Sequence, residues 1–247
     1  MTDATATALT TIQPPSPGLL ARIAGVIFSP RDTFAAVVAR PRWLGVMAVT
    51  LAVGAGSQYV VMSSQVLQDA IVDQQIQRME AGGQAASDEQ VATIERILSF
   101  LPQIYAAATL IVGPLVVAAV AGILVGIFST LMGGSGTFKQ VYAVLAHAGV
   151  VSTLAGLLSA VLMAAGVEPS GVSPPGANLG VFVPMLEETS FVAQMLGAIN
   201  LILLWWLVTL SIGLGVLYKR RTGPIVTSLM ALYFVIALII AFVRSGS

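Results

Sequence analysis

Residues 104–132 read IYAAATLIVGPLVVAAVAGILVGIFSTLM, a run without Asp, Glu, Lys or Arg. A hydrocarbon core of about 30 Å takes about 20 apolar residues as a helix, and a charge at its centre costs about 2.5–3.5 kcal/mol. Lipid offers the backbone no hydrogen-bond partners, so only helices or closed barrels cross it. The run is much too long for a barrel strand of about 10 residues, so it is a helix. Four more stretches, 43–62, 141–166, 191–218 and 225–243, are equally free of charge. The predicted fold is therefore all-α: a polytopic membrane protein built on five transmembrane helices. Spans 104–132 and 191–218 exceed the minimum, which predicts tilt or ends emerging from lipid. Gly113-Pro114 predicts a kink or a register break, because proline lacks the N–H that a helix interior uses.

Composition excludes other classes. Hydrophobic residues make up 57% of the chain, charged residues 9%, and mean hydropathy is +0.92. A soluble domain carries about 25% charged residues, so most of this surface meets something other than water. Eleven basic residues balance eleven acidic ones, which excludes a broad cationic footprint for nucleic acid. The chain has no cysteine, which removes disulfides, iron–sulfur clusters and thiolate metal sites. No basic residue precedes Arg22, and Pro14, Pro15 and Pro17 interrupt the start. The opening therefore does not read as a signal peptide; residues 1–18 read as a disordered tail.

Flanking charge predicts orientation. Arg22, Arg31, Arg40, Arg42, Lys139, Lys219, Arg220 and Arg221 fall on one side of a five-span layout, and Arg78, Arg96 and Arg244 on the other. Eight against three predicts a cytoplasmic N-terminus and an extracytoplasmic C-terminus in a bacterial inner membrane. Residues 19–42 are then cytoplasmic, and residues 43–247 form the membrane domain with extracytoplasmic segments 63–103 and 167–190.

The polar segments carry helix signals. Ser29-Pro30-Arg31-Asp32 has the form of a helix start. Leu19, Ile23, Val26 and Ile27, then Phe34, Val37 and Val38, predict two short amphipathic helices. They either lie on the membrane surface, with Arg22, Arg31, Arg40, Arg42, Lys219, Arg220 and Arg221 towards anionic lipid, or pack on the bundle. Outside, Gly82-Gly83 separates two helical stretches, the second opened by a capping box at Ser87 and Gln90. Segment 167–190 is rich in Pro and Gly, and is read as either disordered or folded back over the bundle mouth.

Helices in lipid associate through small residues that let backbones approach closely. Ala148, Ser152, Gly156, Ala160 and Ala164 form an i+4 ridge on the third span, and Gly122 and Gly126 mark the second. An internal contact is favoured over a dimer seam. His147 is the only histidine, and it lies within the third span. An intramembrane ionisable group is a functional hypothesis by default, with Asn200 and Gln194 as further members of a polar site. The alternative is a neutral imidazole bonded to Asn200, Gln194 or Tyr142, and it is favoured because no span holds a carboxylate to complete a proton relay.

Enzymatic readings fare poorly. One histidine cannot supply a hydrolytic metal site, and there is no Walker motif. Gly133-Gly134-Ser135-Gly136 has the spacing of the rhomboid protease signature. But His147 lies about 10 Å down the next helix at 1.5 Å per residue, so a glycine turn is the better reading. No catalytic residue, metal or cofactor is expected.

Several short stretches together resemble one family. Phe28-Ser29-Pro30-Arg31-Asp32-Thr33-Phe34 looks like its pre-membrane Pro-x-x-Thr-Phe segment, and Gly136-Thr137-Phe138-Lys139-Gln140 like its Gly-Thr-Phe-Lys-Gln element. Asn200-Leu201-Ile202-Leu203-Leu204-Trp205 with Ile212-Gly213-Leu214 is similar to its Asp/Asn-Leu-Phe-x-x-Trp…Gly-Leu stretch. With five spans and an inside N-terminus, the chain resembles the bacterial branch of the Yip family, the Ypt/Rab-GTPase-interacting membrane proteins. Eukaryotic members engage small GTPases and act in vesicle trafficking. Their Asp-Leu-Tyr-Gly-Pro element is reduced here to the Gly113-Pro114 pair, so GTPase binding is not carried over. The resemblance implies a non-enzymatic scaffold, membrane-organising or partner-binding subunit. Its partners would be membrane lipids and either another membrane protein or further copies of the chain. The competing expectation is a small permease or channel with a polar path near His147.

Overall fold

The computed structural model describes residues 17–167, 176–183, 185–187 and 190–245. The stretch 1–16 of the tail read as disordered lies outside them, as do Glu168 and Glu188. Among the described residues the chain forms helices α1 (Leu19–Phe28), α2 (Pro30–Ala39), α3 (Leu44–Met62), α4 (Gln65–Ala81), α5 (Asp88–Leu98), α6 (Leu101–Val125), α7 (Phe138–Ala164), α8 (Phe191–Ala198), α9 (Leu201–Leu217) and α10 (Thr222–Ser245). The protein is an all-α polytopic membrane protein. Four helices are long and apolar enough to cross a membrane: Leu44–Met62, Leu101–Thr130, Phe138–Ala164 and Thr222–Val243.

The stretch read as a continuous fourth span, 191–218, is not one helix. It breaks at Ile199-Asn200 into α8 and α9, both break residues taking extended backbone angles. The 17 residues of α9 reach about 25 Å at 1.5 Å each, short of a 30 Å core. What breaks the helix is Asn200, whose side chain accepts from the backbone N–H of Ile202 (2.9 Å) and Leu203 (3.0 Å) and so starts a new helix. Asparagine competes for backbone in this way at helix starts.

Breaking a helix among apolar neighbours frees backbone groups that lipid cannot satisfy. Four of them, at residues 198–201, find partners across the fold. Tyr233 on α10 donates its hydroxyl to Ala198 O (2.7 Å) and accepts from Asn200 N (2.9 Å). Residues 177–179 fold back on the joint, with Leu179 N donating to Ile199 O (3.0 Å) and Leu201 N to Ala177 O (2.7 Å). These form an isolated antiparallel bridge between Asn178 and Asn200. A 3-10 turn, Leu179–Phe182, then packs on α8.

Helix α6 passes through Pro114 without ending, and its register changes further on, in a π-helical stretch Gly126–Leu131. Helix α7 is the centre of the bundle. It packs on α3, α9, α6, α1 and α2, and residues 141–148 are all buried. The edges differ sharply from this centre. In α6 only 11% of the most apolar window is buried and in α10 only 17%, against 44% in α7. Surfaces this apolar are stable only against lipid or another helix.

Of the two readings offered for the amphipathic helices, the structure supports packing. Val26 of α1 is fully buried with Val46, Val150 and Val151. Phe34 and Val37 of α2 are buried too, and Phe34 joins the main core with Val144 and Leu214. The opposite face of α1 is also apolar: Leu20 is 80% exposed and Phe28 83%.

Candidate functional site

The basic end of the bundle gathers α1, α2, the turn after the π-helical stretch, and the turn between α9 and α10. Each element is held there by specific local chemistry. The turn into α7 is fixed by a capping box, in which Thr137 Oγ1 accepts from Gln140 N and Gln140 Oε1 accepts from Thr137 N. Gln140 Nε2 also donates to Val38 O on α2 (3.1 Å), tying the two elements together. Replacing Gln140 by Ala should cost about 1–2 kcal/mol, read as a lower melting temperature in detergent. Gln140→Glu should recover part of it, since a carboxylate keeps the cap but cannot donate to Val38.

In the glycine turn Gly133 takes φ +68° in open space, while Gly134 and Gly136 form a packing surface. A Cβ on Gly134 would lie 2.5 Å from Tyr218 Cδ1, and one on Gly136 2.7 Å from Tyr218 Cε1. Tyr218 stacks on Phe128 with ring centroids 5.0 Å apart. Its hydroxyl shares a 3.0 Å hydrogen bond with Ser129 Oγ, which donates to Gly136 O. Ser135 is exposed, and the ring nitrogens of His147 face other partners.

His147 is fully buried. Its Nδ1 lies 2.7 Å from Ala143 O, so this nitrogen carries the hydrogen, because a carbonyl only accepts. Nε2 faces Arg22 Nη1 at 3.5 Å, a long contact in which the guanidinium is the donor. The expected partners Asn200, Gln194 and Tyr142 are not the ones the structure gives. Asn200 caps α9, Gln194 lies half-buried in α8, and Tyr142 donates to Pro114 O (3.3 Å). Arg22 reaches His147 because the valine contacts seat α1 directly on α7. It also donates to Arg42 O, while its Nε is buried without a partner. Burial first, and the Arg42 charge second, lower the Arg22 pKa from its ordinary value.

The other cations divide. Arg40 and Arg42 are exposed beside the start of α3. Arg31 of α2 faces Lys219, Arg220 and Arg221 across a cavity of about 540 Å³. The turn carrying the last three is a Schellman motif: Arg220 N donates to Gly215 O (2.9 Å) and Lys219 N points at Val216 O (3.4 Å). Lys219 takes φ +53°, where glycine is the usual residue. A side chain there costs about 1–2 kcal/mol.

On the small-residue ridge, Ala148 and Ala160 are buried, and a Cβ on Gly156 would meet Ser57 Cβ of α3 at 3.6 Å. Ser152 and Ala164 are exposed. A Cβ on Gly122 or Gly126 would meet nothing within 4 Å. Gly213 stands at a three-helix contact, where a Cβ would sit 2.5 Å from Val144 Cγ1 and 3.1 Å from the Phe34 ring. Tyr218 and Tyr233 escaped the sequence reading; the one available signal was a phenol placed in an apolar helix, where its hydroxyl needs a partner.

The fold and this end of it define a class: a polytopic helical membrane protein whose two N-terminal helices are packed into the bundle at its basic end. The short motifs now have physical reasons, since Phe34 and Gly213 meet at one contact, Gln140 joins α7 to α2, and Asn200 starts α9. A profile of the Yip1 domain matches residues 24–244, and the chain belongs to the Yip family. Searches of curated proteins and of solved structures find no match.

Proposed function

We propose that this Yip-type protein is a non-enzymatic scaffold or partner-binding subunit of a bacterial cytoplasmic membrane. Its N-terminus lies inside and its C-terminus outside, following the excess of basic residues at one end. The observation that carries the reading is the closed interior. His147, the one histidine of the bundle, is fully buried and faces a backbone carbonyl and a guanidinium, an arrangement that seats α1 rather than lining a path. The ridge at Ala148, Gly156 and Ala160 serves the internal contact with α3. Helices α6 and α10, at the edges, offer apolar faces to a partner helix or to a second copy.

Photo-crosslinkers placed at Leu115 of α6 and Ile239 of α10, both exposed, should capture a reproducible protein partner or a self-adduct in membranes. A chain that crosslinks to lipid alone at both sites would sink the proposal. Liposome flux tests the permease alternative: transport of any solute in a broad panel, lost in His147→Ala, would replace the scaffold reading.

A further inference from the structure

The cavity at the basic end is built for an anion. Arg31, Lys219, Arg220 and Arg221 line it, opposed by the single carboxylate of Asp32. No ion pair engages Arg31, Lys219 or Arg221 among the described residues, and four like charges set against one carboxylate repel one another. Arg220 spends one nitrogen on Met132 O (3.1 Å), which anchors its guanidinium at the wall. The turn also keeps a lysine at φ +53° although glycine suits that conformation better. Strain of this kind persists where the side chain has work to do. At about 540 Å³ the space suits a phosphate-bearing headgroup of small-molecule size. Three residues before Arg31 in the chain, at the end of α1, stands Phe28, 83% exposed. That pairing matches the boundary between acyl chains and headgroups.

From these observations the geometry points to a binding site for the phosphate headgroup of an anionic phospholipid, formed between the start of α2 and the α9–α10 turn. Basic clusters at the membrane boundary attract acidic headgroups in this way: Arg31, Lys219, Arg220 and Arg221 are all exposed, and each is worth about 1 kcal/mol near an anionic surface. The site stands independently of the scaffold proposal.

The test uses the full chain, purified in neutral detergent and titrated with phosphatidylglycerol, phosphatidylcholine or inorganic phosphate. Thermal shift and lipid retained in native mass spectrometry are the readouts. Phosphatidylglycerol should raise the melting temperature saturably and remain bound, whereas phosphatidylcholine should do neither. Arg31→Gln and Lys219→Gly should each weaken the titration about tenfold. Arg42→Gln, which removes a charge at the same end but outside the cavity, should leave it within twofold. Lys219→Gly relaxes the strained turn, so it should fold at least as stably without lipid; loss of lipid binding in a variant of undiminished stability isolates the site from folding. Equal weakening by Arg42→Gln would show diffuse charge attraction and overturn the proposal. So would indifference to headgroup charge, or inorganic phosphate competing as strongly as the lipid, which would assign the cavity to a soluble anion.

Discussion

Replacing Gly213 by Leu should destabilise the protein by about 3 kcal/mol or more, the upper end of what overpacking a filled core costs. The reason is a three-helix contact with no slack. A Cβ at this position of α9 lies 2.5 Å from Val144 of α7 and 3.1 Å from the Phe34 ring of α2. Both neighbours are fully buried, so neither can rotate away into solvent. Even Gly213→Ala places a methyl inside van der Waals contact. The larger residue must push α9 off α7 or expel Phe34, and with it α2. For a domain of this size, 3 kcal/mol corresponds to roughly 6–12 °C in melting temperature. Combining Gly213→Ala with Val144→Ala should restore part of the loss, because it trims the neighbour that clashes most closely. Absence of any such rescue would place the packing conflict elsewhere.

The second large effect concerns the broken helix. Tyr233→Phe keeps the ring and deletes one oxygen, yet it orphans two backbone groups, Ala198 O and Asn200 N. A buried polar group left unpaired costs about 1–3 kcal/mol, whereas interhelical hydrogen bonds measured within membranes average nearer 0.6 kcal/mol. Two groups lost at once put the expected cost at about 1–4 kcal/mol. Hydrogen exchange separates this prediction from general loosening: the amides of residues 199–203 should lose protection while α3 and α7 keep theirs. Unchanged exchange at the joint would mean that the break does not depend on α10. Asn200→Ala should cost about 0.5–2 kcal/mol by removing the cap on Ile202 and Leu203.

These two sites mark the limit of what reading along the chain can reach. Gly213 stands in an apolar run like other membrane glycines, and nothing in its sequence neighbours announces Val144 or Phe34. Tyr233 is 33 residues from the backbone it satisfies at Asn200. Span 191–218 reads as continuous because hydropathy responds to the cost of charge and takes no account of a side chain that caps a helix. By contrast, the capping box at Ser87 is local, completed within three residues, and was legible in the sequence; the equally local box at Thr137 was not read there. The site followed the same division. Basic residues could be assigned to one end by counting, but the convergence of Arg31 with the α9–α10 turn depends on α2 packing against α9.

What the sequence by itself determined is the class of protein, namely long charge-free helices in a membrane with their basic residues concentrated at one end. That follows because burying charge in hydrocarbon is costly at any position, so the constraint can be read residue by residue. Only the tertiary structure decided that the longest-looking membrane stretch after α7 is two helices, that α1 closes over His147 through Arg22, and that four cations share one cavity. Each of these depends on groups far apart in the chain meeting within hydrogen-bond or contact distance, and only packing brings them there.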